Sequence, residues 1–221
     1  MPAQLTFDWP VGVALDADDF FVSGANAQAY AMLEAYDNWP ERKLVIAGPA
    51  GCGKSHLARI MATRLDAVIV QANALPRDLP DAALIVEDMH LLPVGDQETM
   101  FHLHNHLRHS GKHLLMTAQS APRDWQLTLP DLASRMQATT LTSITEPDDA
   151  LLQALIMKLM ADRQIMPPAA LVSYLVPRIE RSFAAAANIV AQLDRQSLAQ
   201  GRPIGRALAA HILDKINHDV G

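Results

Sequence analysis

Short apolar runs recur through the first two thirds of the chain, at residues 43–47, 67–70, 84–86, 113–117 and 139–141, each bounded by Gly, Pro or polar residues. Runs of this length between turn signals read as buried strands. Between them lie segments with helical character: an Ala-rich stretch at 27–36 ending before Asn38-Trp39-Pro40, one from Lys54 to about Arg64, Gln97–His109 capped by Gly111, and a short one at 132–136. Residues 75–80, with Pro76 and Pro80, read as connecting loop. Strands alternating with helices predict an α/β fold, a parallel five-stranded sheet flanked by helices. After Thr145-Glu146-Pro147 the strand-like runs stop. Residues 148–162, 169–178, 183–200 and 205–218 all read as helices, separated by Pro167-Pro168 and Gly201-Arg202-Pro203. The expected organisation is therefore an N-terminal peptide and linker over 1–12, an α/β domain over 13–146 and a small all-α domain over 147–221.

A length of 221 residues accommodates one large and one small domain with a proper core. No apolar run approaches the ~18 residues of a membrane span, and Met1-Pro2-Ala3-Gln4 lacks the basic start of a secretory signal. Cys52 is the only cysteine, so no internal disulfide is possible and a cytoplasmic location is expected. Net charge is −6, and the acid excess lies before residue 147, with 10 Lys/Arg against 17 Asp/Glu there and 8 against 7 beyond it. No basic stripe stands out, which argues against tight autonomous DNA binding.

The run at 43–47 leads into Gly48-Pro49-Ala50-Gly51-Cys52-Gly53-Lys54-Ser55, and His56-Leu57-Ala58-Arg59-Ile60-Met61 continues with helical character. Strand, Gly-rich turn and helix in that order are the context a G-x-x-x-x-G-K-[ST] motif requires. The backbone of Pro49, Ala50, Gly51, Cys52, Gly53, Lys54, Ser55 and His56 would turn its N–H groups and the helix N-terminus toward phosphate oxygens. Lys54 would supply a charge to the β/γ-phosphates, and the Ser55 hydroxyl a ligand to Mg²⁺. The alternative is a Gly-rich turn that fits the pattern by chance. A thiol at a helix N-terminus can have a lowered pKa, so Cys52 is either redox-active or a small filler.

Glu87-Asp88 closes the third run, where a P-loop nucleotidase places the acid of its Mg²⁺ shell and a second acid that orients water. Glu87 is the expected metal-shell residue beside Ser55. The alternative is two solvent-facing acids in a turn. Gln119, just past the fourth run, would lie at the sheet edge where ligands of open α/β sheets sit. Arg135 is either a structural arginine or a finger reaching a neighbouring subunit's γ-phosphate. His102, His106 and His109 share a helical face, yet no carboxylate or Cys completes a zinc signature, so they read as surface or interface residues. Near the N-terminus Gln4, Leu5, Phe7 and Trp9 form either a tail packed on its own domain or a linear peptide docking in another protein's groove.

With the P-loop, the acidic pair, Leu129-Pro130-Asp131-Leu132-Ala133-Ser134-Arg135 and an all-α C-terminal part in order, the chain resembles the AAA+ modules of the DnaA family, and more closely its Hda branch, the regulatory inactivators of the initiator. The resemblance covers nearly the whole chain. It likens Gln4-Leu5 to a sliding-clamp-binding peptide and Phe21-Val22-Ser23-Gly24-Ala25-Asn26 to the segment that contacts adenine. Thr117-Ala118-Gln119 falls in the sensor-1 stretch, Arg135 in the arginine-finger segment, and Arg181 where the sensor-2 arginine of the lid belongs. The implied protein holds ADP or ATP with Mg²⁺, docks on the sliding clamp and stimulates ATP hydrolysis by the initiator DnaA; a homo-oligomer is also compatible. No DNA-binding helix-turn-helix follows the helical part before Gly221, which favours the inactivator. Initiators carry Asp first in the acidic pair and usually an acid at the position of Gln119. A ~1 Å misplacement can cost ~10²-fold in rate, so vigorous hydrolysis by the chain alone is not expected. The competing readings are an autonomous AAA+ ATPase acting as a remodeller or helicase loader and, weakest given the charge, a DNA-binding accessory factor.

Overall fold

The structure is a computed structural model that describes residues 22–219. Strands β1 (Lys43–Ala47), β2 (Val68–Gln71), β3 (Leu84–Glu87), β4 (Leu114–Ala118) and β5 (Leu141–Ser143) form one parallel sheet in the order β2-β3-β4-β1-β5. Leu44 pairs with Leu115 and Val45 with Met116, while Ile85 pairs with Leu115 and Val86 with Met116. Because side chains alternate faces along a strand, Val45, Leu84, Val86 and Met116 share one layer and Leu44, Ile46, Ile85 and Leu115 the other. Helices α1 (Ala27–Glu34) and α2 (Lys54–Leu65) cover the second layer with Leu33, Leu57 and Met61. Helices α3 (Gln97–His109) and α4 (Pro130–Ala138) cover the first with Met100, Leu103, Leu107, Leu132 and Met136. Burial on both faces explains why the central strands β1, β3 and β4 read as continuous apolar runs, while the edge strands β2 and β5 are partly exposed.

Several boundaries differ from the sequence reading by one to three residues, and two in the α/β part have a clear local cause. Helix α4 begins at Pro130, two residues early, since proline fits the first helical turn, whose N–H has no helical acceptor. Strand β5 comes two residues later than expected because Thr139 caps α4, its hydroxyl donating to the Arg135 carbonyl at 2.9 Å.

Helices α5 (Asp149–Ala161), α6 (Ala169–Leu175), α7 (Phe183–Gln200) and α8 (Arg206–Asp219) pack around their own core of Leu152, Ile156, Leu171, Leu175, Ile189, Leu193 and Ile212. The side chains of Asp148 and Ser182 cap α5 and α7 by accepting from Leu151 N (2.7 Å) and Ala185 N (3.0 Å). Helix α6 stops at Leu175, short of the expected 178: Pro177 has no N–H to continue it, and a 3₁₀ turn takes over at Val176–Arg178. Among the described residues no helix is long and apolar enough to cross a membrane.

Candidate functional site

The strand order brings the loops after β1, β3 and β4 side by side at the C-terminal edge of the sheet, the edge where open α/β sheets bind ligands. The P-loop leaves β1 there and opens α2. Its first glycine is required by crowding: a Cβ on Gly48 would stand 2.5 Å from the Ile144 carbonyl oxygen and 2.8 Å from Cys52 Sγ. Gly51 has φ +68°, and its Cβ would also meet Ala184. The helical unit touches the loop here. Phe183 N–H donates to the Gly51 carbonyl at 2.8 Å, so the N-terminus of α7 abuts the P-loop just as that of α2 emerges from it. Two positive helix ends at one loop suit an anion.

Lys54 is buried, and its ammonium donates to the carbonyls of Gly48 and Pro49, both at 2.7 Å. A phosphate oxygen is a stronger, charged acceptor for the same group. Ser55 is exposed at the head of α2, Pro49 and Ala50 are exposed in the loop, and His56 is buried. Cys52 is 2% exposed, and burial pushes its thiol pKa up, with the nearby Lys54 only partly offsetting it. The thiol is therefore a packing group rather than an activated nucleophile.

At the end of β3, Glu87 is buried. Its Oε2 accepts from Gln71 Nε2 at 3.2 Å, and its Oε1 has no hydrogen-bond partner among the described residues. A buried carboxylate oxygen without a donor is costly unless a cation answers it, so the position fits Mg²⁺ or its water shell. Among the described residues no group of three or more His, Cys, Asp or Glu is placed to hold a metal. Mg²⁺ would therefore come with the polyphosphate, with Ser55 and Glu87 as the protein's contribution. Asp88 sits in the left-handed region (φ +58°), and its N–H donates to the buried Thr117 hydroxyl of β4 at 3.3 Å. Gln119 is exposed just beyond β4, its N–H facing His90 Nδ1 at 3.3 Å. Val22 is half-exposed ahead of α1. Arg181 precedes α7 and pairs with Asp149 of α5 at 2.8 Å, both side chains largely exposed.

Arg135 lies elsewhere. It lines a cavity of about 270 Å³ with Lys43, His104 and Arg108. Lys43 is the first residue of β1, so the cavity opens at the N-terminal edge of the sheet. Five strand residues at ~3.3 Å each put it at least about 13 Å from the chain's own P-loop. The Arg135 guanidinium lies 5.1 Å from the Phe101 ring centre, a cation–π contact. The loop leading into α4 is pinned by buried Gln97. Its Oε1 accepts from Thr128 N, Thr128 Oγ1 and Leu129 N at 2.9–3.1 Å, and its Nε2 donates to the Gln126 carbonyl at 3.0 Å.

Sequence reasoning did not single out Gln97, nor the buried Lys43–His104 contact, since nothing local distinguishes them from surface polar residues. The helical histidines form no metal group: His106 Nε2 faces the Pro80 carbonyl and His102 stacks edge-on against Phe101. Gln4, Leu5, Phe7, Trp9 and Phe21 lie outside the described residues.

No family model matches the chain. Its curated relatives include the chromosomal replication initiator proteins DnaA of Flavobacterium psychrophilum, 22% identical over 233 aligned positions, and of Cutibacterium acnes, 24% identical over 225. These alignments cover 92% and 89% of this chain but only 49% and 45% of the relatives, so the chain spans about half their length. Among solved structures, domain III of the Thermotoga maritima replication initiation protein DnaA superposes with TM-score 0.79 at 17% identity, covering 90% of this chain and 95% of that one. A DnaA bound to AMPPCP and single-stranded DNA gives 0.71 at 17% identity, covering 81% and 64%. The Thermotoga maritima RuvB Holliday junction branch migration motor gives 0.71 at 16% identity, covering 91% and 72%. The chain is thus similar in sequence to DnaA initiators over about half their length, and it shares the fold of domain III of the Thermotoga maritima protein.

Proposed function

We propose that the chain is a nucleotide-binding regulator of replication initiation that stimulates ATP hydrolysis by DnaA in trans. ADP or ATP sits against the P-loop backbone, held by Lys54 and Ser55 and approached by Arg181 from the helical unit. Mg²⁺ adds the charge compensation that Glu87 lacks. The observation that carries the reading is the separation of Arg135 from its own P-loop by the height of the sheet. An arginine at that edge is useless to the chain's own phosphates and available to a neighbour's. Replacing Asp by the longer Glu87, and standing Gln119 where the initiators usually have an acid, supports weak turnover by the chain alone. Residues Gln4, Leu5, Phe7 and Trp9 are the proposed dock for the sliding clamp, and the setting is cytoplasmic.

Nucleotide identification after denaturation, together with steady-state ATP turnover, tests this. Retained ADP with negligible turnover is expected; robust turnover abolished in Glu87→Ala contradicts it. That second outcome belongs to an autonomous ATPase, a reading favoured by the shared fold with a branch migration motor. Removal of residues 1–9 should abolish retention on immobilised clamp, and unchanged retention would exclude the docking peptide.

A further inference from the structure

On the helical unit, two guanidiniums meet one aromatic ring. Tyr174 of α6 packs partly into the core of the unit, and the Cζ atoms of Arg178 and Arg206 stand 4.1 and 4.6 Å from its ring centre. Cation–π attraction thus holds two exposed positive charges within about 9 Å of each other. Arg178 is fixed further by its Nη1, which donates to the Tyr174 carbonyl at 3.0 Å. Arg64, Arg108, Arg163 and Arg181 each pair with a carboxylate, whereas among the described residues Arg178 and Arg206 pair with none. An anion between them relieves their mutual repulsion. Ala207, next to Arg206 in α8, opens an apolar hollow. With Arg202, Pro203, Leu208 and His211 it lines a cavity of about 280 Å³, the volume of about nine liquid waters. The Ser197 hydroxyl donates to the Arg202 carbonyl at 2.6 Å. That bond sets Leu198, 73% exposed at the end of α7, at the same turn.

We propose that this face of the helical unit docks an acidic, amphipathic helix of a partner protein. Acidic residues three or four apart on one helix have Cβ atoms ~5–6 Å apart, so one such pair reaches both guanidiniums. Each guanidinium is a planar fork matched to a carboxylate. An apolar side chain of the same helix fills the hollow between Pro203, Ala207 and Leu208, and Leu198 extends the apolar contact. The Tyr174 ring keeps the cations in place before the partner arrives, which lowers the entropy lost on binding. A phosphodiester backbone fits less well, since it has no use for an apolar hollow and a net charge of −6 opposes a polyanion. The face is remote from the nucleotide loop. Phe183 touches the P-loop at one end of α7, and Leu198 lies near the other, about 22 Å away at ~1.5 Å per residue.

The test is fluorescence anisotropy of a labelled peptide titrated with the full chain at fixed ionic strength. The probe is a synthetic helix of about 18 residues, long enough to form in water, with Leu at i, i+3, i+4 and i+7 and Glu beside that stripe. Saturable binding with a Kd on the order of 10–100 μM is expected. The double variant Arg178→Gln/Arg206→Gln should weaken it about tenfold, since exposed ion pairs contribute a few-fold each. Ala207→Glu, which sets a carboxylate at the mouth of the hollow, should weaken it by a similar factor. These three positions are exposed, so the variants keep the fold. Arg123→Gln, whose side chain is 80% exposed in the α/β part, should leave binding unchanged. No saturable binding, equal binding of a peptide with the same residues in scrambled order, or parent-like binding by the double variant overturns the proposal. Labelled oligo(dT) of about 20 nucleotides forms the last arm. Tighter binding of that strand than of the peptide, lost in the double variant, would assign the face to nucleic acid and overturn the proposal as well.

Discussion

Acidification should weaken this protein through one identifiable imidazole. His104 is 2% exposed, packed against the Lys43 ammonium and within the field of Arg135, and its pKa falls to about 4 from the ordinary 6.5. Lysine can only donate, so Nδ1 accepts and the ring carries its proton on Nε2. An unfolded chain's histidine takes a second proton near pH 6.5, while the folded one resists until about 4. Between those values the unfolded state binds more protons, so stability falls as pH drops through that window. At pH 5 the proton-binding factor 1 + 10^(pKa − pH) is about 30 times larger for the unfolded imidazole than for the folded one, which costs about 2 kcal/mol relative to pH 7.5. His113, also lowered by burial, adds in the same direction. The assay is urea unfolding at pH 7.5 and 5.0 for the parent and His104→Gln, whose amide oxygen can still accept from Lys43. The substituted protein should lose about 2 kcal/mol less on acidification, the His113 contribution cancelling in the comparison. Parallel losses within about 0.5 kcal/mol would refute the placement of a neutral, desolvated imidazole beside Lys43.

Gly48→Ala pushes a methyl group against the Ile144 carbonyl and Cys52 Sγ, backbone on one side and a buried thiol on the other. It should cost about 1–3 kcal/mol in thermal or urea unfolding and reduce ADP binding by calorimetry; parent-like behaviour in both would contradict the crowding. Asp149→Asn releases Arg181 from an exposed ion pair worth up to ~1 kcal/mol. Stability should stay within about 0.5 kcal/mol of the parent while ADP binds up to about fivefold tighter. A weaker affinity would mean that the pair holds Arg181 in its working position. Gln97→Leu removes four hydrogen bonds that pin the approach to α4. It should lower Arg135-dependent stimulation more than ADP binding, and an equal fall in both would assign it to global stability.

The sheet and its helices were readable because buried parallel strands appear as apolar runs, and because Gly48, Gly53, Lys54 and Ser55 keep the spacing a phosphate loop requires. Helices Gln97–His109 and Phe183–Gln200 fall where the periodicity and their flanking glycines put them. What stayed hidden depends on strand order. Lys43, His104 and Arg135 are far apart in the chain and meet because β1 lies between β4 and β5, with α3 and α4 on one face. No local pattern distinguishes a lysine at such an edge from a surface lysine. The Cys52 thiol shows the same limit: a helix N-terminus suggests a lowered pKa, but burial decides the sign. The pairing of Arg181 with Asp149 was equally hidden, since it comes from the packing of α5 against α7.

The account rests on Arg135 serving a neighbour's phosphates. Single-turnover hydrolysis of ATP preloaded on DnaA, with clamp-bearing DNA and this chain in its ADP form, measures that directly. The parent should accelerate hydrolysis, by up to the ~10³–10⁵-fold that a finger supplied in trans can give, and Arg135→Ala should leave the DnaA rate at its value without the chain. Acceleration by Arg135→Ala equal to that by the parent would contradict the claim outright.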